Sequence, residues 1–117
     1  MIKNINISNI AIIDNLEINF SKGFNVITGE SGSGKSILIK SIEYLKGKKF
    51  NKDDLRKNAD SASISSIINI DNKDYSLKRR ISKNYVSSFY INDVKTNFET
   101  YSLFLKNAIG FFWGPSI

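Results

Sequence analysis

Gly29-Glu30-Ser31-Gly32-Ser33-Gly34-Lys35-Ser36 satisfies every fixed position of the phosphate-loop pattern GxxxxGK[ST]. The residues on either side supply the context this pattern needs. Before it, Phe24-Asn25-Val26-Ile27-Thr28 reads as a short buried strand. After it, Ile37, Leu38, Ser41, Ile42 and Leu45 recur at helical spacing, which predicts a helix from Lys35 to about Lys46. Gly47 follows as a helix stop, and Lys48 and Lys49 suit the negative end of a helix dipole. Strand, loop and helix in that order predict an α/β fold.

The chemistry explains the composition. Backbone N–H groups must turn inward around phosphate oxygens, which calls for residues without Cβ clashes, and Gly29, Gly32 and Gly34 supply them. The unpaired N–H groups and positive dipole end of the next helix face the same oxygens. Lys35 would set its ammonium against the β- and γ-phosphates of ATP, and Ser36 would offer its hydroxyl to Mg²⁺, a hard cation that prefers oxygen. Glu30, Ser31 and Ser33 complete the loop. The competing reading, a glycine-serine linker with an incidental lysine, does not account for the strand before it or the amphipathic helix after it.

Working outward, residues 2–8 are rich in β-branched side chains, and Leu16, Ile18 and Phe20 alternate with Glu17 and Asn19. With Asp14-Asn15 as the turn, they predict an antiparallel pair. Residues 50–60 are polar and read as a loop with a short helical turn. Three more strands are predicted near 62–70, 74–82 and 86–92, joined at Asp71-Asn72-Lys73-Asp74 and Ser82-Lys83-Asn84. Residues 1–20 and 60–92 should therefore form an antiparallel β subdomain beside the phosphate-loop lobe. Phe98, Tyr101, Leu105 and Ile109 fit one face of a second helix. The stretch 111–117 holds Phe111, Phe112, Trp113 and Ile117, an apolar tail expected to mark a truncation.

The 117 residues suit one domain. With no cysteine and no histidine, disulfides, thiolate metal sites and imidazole bases are excluded for this sequence. No stretch reaches the roughly 18 unbroken apolar residues of a membrane span, and a cytoplasmic location is expected. The net charge of +6 invites a nucleic-acid reading. Nearly all of it is lysine in a chain crowded with asparagine and isoleucine, a bias that AT-rich codon usage alone produces. Charge thus leaves both readings open.

The stretches 7–20, 23–30 and 34–38, followed by Leu77-Lys78-Arg79-Arg80-Ile81-Ser82 and Phe89-Tyr90-Ile91-Asn92-Asp93, resemble the opening of the RecN family of bacterial DNA-repair proteins. That family belongs with the SMC and Rad50 proteins, whose heads are ABC-type ATPases, and the likeness covers roughly residues 1–95. It implies that residues 1–110 are the N-terminal part of a nucleotide-binding head. It also implies Mg-ATP as ligand, DNA ends as target, and a second head or a complementing C-terminal polypeptide as partner, in the nucleoid. The family's Q-loop glutamine, glycine-rich signature, Walker B carboxylates and switch histidine have no counterpart here: the sequence has no glutamine and no histidine, and only Gly110 and Gly114 follow Gly47. The expectation is nucleotide contact without efficient hydrolysis by this chain alone, and no catalytic residue is assigned.

Three further features carry competing readings. Ile67-Ile68-Asn69-Ile70-Asp71 has the outline of Walker B, but so soon after the loop, and followed by Asn72, it suits a hairpin better. Arg79-Arg80 offers phosphate or DNA contacts, against the plainer reading of strand neighbours on opposite faces with at least one in solvent. Arg56 lies where the resemblance implies an arginine linked to DNA sensing. Two rival functions remain: a small stand-alone P-loop kinase or NTPase using Asp71, and an inactive product of a truncated gene.

Overall fold

The computed structural model describes residues 2–20 and 32–109, with the side chains of 32–35 and 108–109 outside that description. The predicted strand at 24–28, the first part of the phosphate loop and the tail at 111–117 lie outside the described residues. Six strands form one antiparallel sheet: β1 (Ile2–Ile10), β2 (Ile13–Asn19), β3 (Ser61–Ile70), β4 (Lys73–Ser82), β5 (Ser87–Ile91) and β6 (Val94–Thr96). Their spatial order is β2-β1-β3-β4-β5-β6. Helix α1 (Gly32–Leu45), helix α2 (Phe98–Ile109) and a short 3-10 turn at Lys52–Asp54 complete the element set among the described residues. The α/β fold with an antiparallel subdomain stands as predicted.

Alternation along the strands creates the core. Ile5 and Ile7 on β1, Ala62, Ile64 and Ile68 on β3, and Leu77 and Ile81 on β4 are all buried on one face. Helix α1 covers β3 and β4 there, and α2 covers β5. Each fully buried aliphatic side chain contributes about 1.5–3 kcal/mol. Aromatic rings finish the α2 side, with Phe89 4.8 Å from Tyr101 and 5.3 Å from Phe98, and Tyr75 5.3 Å from Phe104.

The hairpins explain the register. Asp71 and Asn72 both have positive φ (53° and 65°), as do Asn92 and Asp93 (51° and 66°). Two such residues make a type I′ turn, whose twist matches the flanking strands. Ile70 therefore faces Lys73, and Ile91 faces Val94. Asp71 sits in a hairpin turn, as the hairpin reading of that stretch expects.

The turn between β1 and β2 corrects the sequence reading. It lies at Ala11–Ile12, and Asp14 and Asn15 are inside β2. Tertiary contacts override local turn propensity here. Ala11 N donates to Asp54 O at 2.7 Å, and an Arg56 terminal nitrogen donates to Ile12 O at 2.9 Å. The loop at 51–60 thus clamps the turn three residues earlier than Asp14-Asn15 would set it. Arg56 spends part of its guanidinium on this clamp. A second difference is β6, a three-residue strand absent from the sequence reading.

Candidate functional site

Helix α1 begins inside the motif. Its first residue is Gly32, three residues before the predicted start, so Gly32, Ser33, Gly34, Lys35 and Ser36 all belong to its opening turns. Gly29, Glu30 and Ser31 lie outside the described residues, and for Gly32 to Lys35 only the helical backbone is described. Ser36 is exposed and lines a groove of about 380 Å³ with Ile39, Lys40, Glu43 and Lys48. Among the described residues, no cluster of His, Cys, Asp and Glu could hold a metal ion.

The buried face of the helix fixes its direction. Ser41, Tyr44 and Leu45 are buried, and Leu38 and Ile42 pack partly against the core. Ser41 Oγ is enclosed and has no hydrogen-bond partner among the described residues. At the far end the chain closes in a Schellman motif: Gly47 N donates to Tyr44 O at 2.9 Å and Lys48 N to Glu43 O at 3.1 Å. Gly47 has φ +110°, a conformation that L side chains rarely adopt.

Three side chains from distant segments then hold that end. Tyr101 Oη donates to Leu45 O at 2.7 Å. Arg79 donates from one terminal nitrogen to Tyr44 O at 2.8 Å and Lys48 O at 2.5 Å, and from Nε to Ser87 Oγ at 3.1 Å. Its guanidinium lies 5.1 Å from the Phe89 ring centre and 6.0 Å from that of Tyr44. Tyr44 Oη donates to the buried Asp54 carboxylate and accepts from Asn51 N at 3.2 Å. Lys40 reaches the same carboxylate at 3.3 Å. Burial, and then the bond to Asp54, push the Tyr44 hydroxyl up to about 12. Burial also raises the Tyr101 hydroxyl and lowers Arg79, which stays charged at neutral pH.

Arg79 is the residue whose place sequence reasoning left open. It lies in a cross-strand row with Ile7, Ile64 and Phe89, on the face covered by the helices. Arg80 is exposed on the opposite face. The parity of Leu77, Arg79 and Ile81 on β4 was the available signal, since it sets Arg79 among core positions. Arg79 supplies a cation to the carbonyl end of α1, where the helix dipole is negative.

Residues 4–109 match the family described as AAA domain. The DNA repair protein RecN of Synechocystis sp. is 48% identical over 67 residues, which is 57% of this chain and 12% of that protein. RecN of Rickettsia prowazekii is 35% identical over 86 residues, 74% of this chain and 15% of that protein. The chain thus spans well under a fifth of the length of these relatives. Among solved structures, one from work on ATP-driven dimerization and DNA-stimulated activation of SMC ATPases superposes with a TM-score of 0.74 at 23% identity. The match covers 90% of this chain and 77% of that one, a likeness of fold.

Proposed function

The chain belongs to the AAA domain family and corresponds to the N-terminal part of an SMC-like ATPase of the RecN kind, and from this premise we propose that it binds Mg-ATP at residues 29–36. The observation that supports this reading most is that α1 starts within the motif, at Gly32. The helix N-terminus and the glycine-rich loop then share one end of one element, the arrangement a phosphate cradle requires. Lys35 would meet the β- and γ-phosphates. Ser36, exposed in the second turn, fits the role of a hydroxyl ligand for Mg²⁺. The metal, when bound, neutralises phosphate charge; the chain's own part is to orient the polyphosphate along the helix axis.

Replacement of Lys35 by alanine tests this directly. A charge-assisted contact is worth roughly 1.5–3 kcal/mol, so calorimetry should show ATP affinity falling about tenfold or more. Equal binding by wild type and Lys35→Ala would overturn the assignment.

In the cell we place the chain in recombinational repair of double-strand breaks, in the nucleoid, working with a second head or a complementing C-terminal polypeptide. The names of its relatives support this, and so does an SMC neighbour described by ATP-driven dimerization and DNA-stimulated activation. DNA contact by this part alone should be sequence-independent and fade as salt approaches physiological strength. Filter binding across a salt series reads this out, and tight binding in high salt would contradict it.

A further inference from the structure

Arg79 does more than hold the end of α1. A guanidinium carries five N–H donors. Its Nε and one terminal nitrogen are occupied by Ser87, Tyr44 and Lys48. The second terminal nitrogen makes no hydrogen bond to a described residue, yet it is not sealed away: among the described residues the only fully enclosed side-chain polar atom without a partner is Ser41 Oγ. Arg79 also lines a groove. That groove has a volume of about 670 Å³, and Lys49, Asn51, Lys52, Tyr85 and Ser87 line it too.

We propose that this groove is a second anion site, separate from the loop at 29–36, that takes a phosphate group on the free edge of Arg79. Three observations converge on it. Arg79 is only 5% exposed and forms no ion pair with a described carboxylate, so among the described residues this buried cation is compensated by carbonyl dipoles, the Ser87 hydroxyl and rings, all of them neutral. A buried charge gains most from an opposite charge held by hydrogen bonds. Lys49 and Lys52 add two exposed cations at the rim against the single carboxylate of Asp53, so the groove is net positive. Tyr85, 42% exposed and with the Lys52 ammonium 5.3 Å from its ring centre, offers an aromatic surface beside the phosphate position. A phosphate carried by a nucleotide or a nucleic-acid strand could set a base or sugar there. The chemistry common to these ligands is the phosphate oxyanion.

The test uses the whole chain carrying Lys35→Ala, so that the loop at 29–36 responds weakly and its failure is read separately. Inorganic phosphate is titrated while the side-chain Nε–H resonance of Arg79 and the amide resonance of Ser87 are followed by NMR. Saturable shifts of both are expected. Lys49→Ala with Lys52→Ala, two surface changes that leave the fold intact, should weaken the response tenfold or more. Arg79→Lys keeps the charge and loses the fork; where it folds, it should abolish saturation. Shifts matched by chloride at equal ionic strength, or untouched by the lysine pair, would overturn the site. A single-stranded oligothymidylate and its uncharged methylphosphonate analogue then separate the sources. Saturation by the former alone, at lower concentration than phosphate, identifies a strand backbone. No response to either, with phosphate still saturating, identifies a small phosphate ligand.

Discussion

The two ends of helix α1 are specified in different ways. Its N-terminal end lies in a contiguous motif, Gly29 to Ser36, whose residue types follow from what phosphate oxygens demand of nearby backbone. Its C-terminal end is assembled from Tyr101, Arg79, Ser87, Asp54 and Gly47. Three of those five lie more than thirty residues downstream of Leu45 in the sequence. The proposed ligand end is local in sequence; the anchored end is long-range. Substitutions at the N-terminal end should therefore change binding and spare the fold, and those at the C-terminal end should do the reverse.

The largest expected effect is at Tyr101. Its ring is wholly buried beside Phe89 and its hydroxyl satisfies Leu45 O. Tyr101→Ala should cost about 3–5 kcal/mol, a large part of the stability of a domain this size. Tyr101→Phe keeps the ring and should cost about 1 kcal/mol. Lys35→Ala, by contrast, should leave thermal unfolding within roughly 0.5 kcal/mol of wild type. Similar melting losses for Tyr101→Ala and Lys35→Ala would erase the contrast between the two ends.

Next is Gly47, whose φ of +110° closes the Schellman motif. An alanine there is strained by about 1–2 kcal/mol, and its Cβ would press on the Phe98 ring. That ring is 47% exposed and can swing aside, so the clash should add little. Chemical denaturation of Gly47→Ala measures the sum, and an unchanged midpoint would show that α1 tolerates another way of ending.

A smaller effect is confined to alkaline solution. Tyr44 keeps its proton in the folded chain up to about 12, whereas an unfolded tyrosine loses it near 10. A group whose folded value is raised stabilises fully below the unfolded value. That contribution disappears as pH climbs from about 10 towards 12. The wild-type chain should therefore lose stability more steeply across that window than Tyr44→Phe, which has no proton to lose there. Parallel curves would show that neither burial nor the Asp54 contact biases the hydroxyl.

What the sequence made legible follows the same division. Period-two alternation on β3 and β4 and the turn pairs of their hairpin are local signals, and they predicted the right strands. Asp14-Asn15 is an equally local signal, and it misled. The clamp that moves the turn to Ala11–Ile12 comes from Asp54 and Arg56, more than forty residues away. Strand β6 was missed because three residues carry too little pattern, although Asn92-Asp93 between Ile91 and Val94 holds the turn signal that defines it. For the proposed site, Lys35 and Ser36 are named from the motif alone. The anchoring role of Arg79 depends on carbonyls that converge only after folding.

The smallest expected effect comes from setting Arg79 beside its neighbour. Arg79 and Arg80 are chemically identical and adjacent, and a sequence motif treats them as a pair. Strand pleating sends them to opposite faces: Arg79 joins the row with Ile64 and Phe89, and Arg80 is exposed on the far side of the sheet. No side-chain hydrogen bond or ion pair ties Arg80 to a described residue. Arg80→Ala should therefore stay within about 0.5 kcal/mol of wild type. Arg79→Ala leaves Tyr44 O and Lys48 O without their charged donor and opens space between two rings, so it should cost several-fold more. Paired denaturation curves decide the matter. Equal losses for the two arginines would mean that the solvent-facing side of the sheet carries a contact this arrangement does not contain, and that burial of the Arg79 guanidinium is not what holds the end of α1.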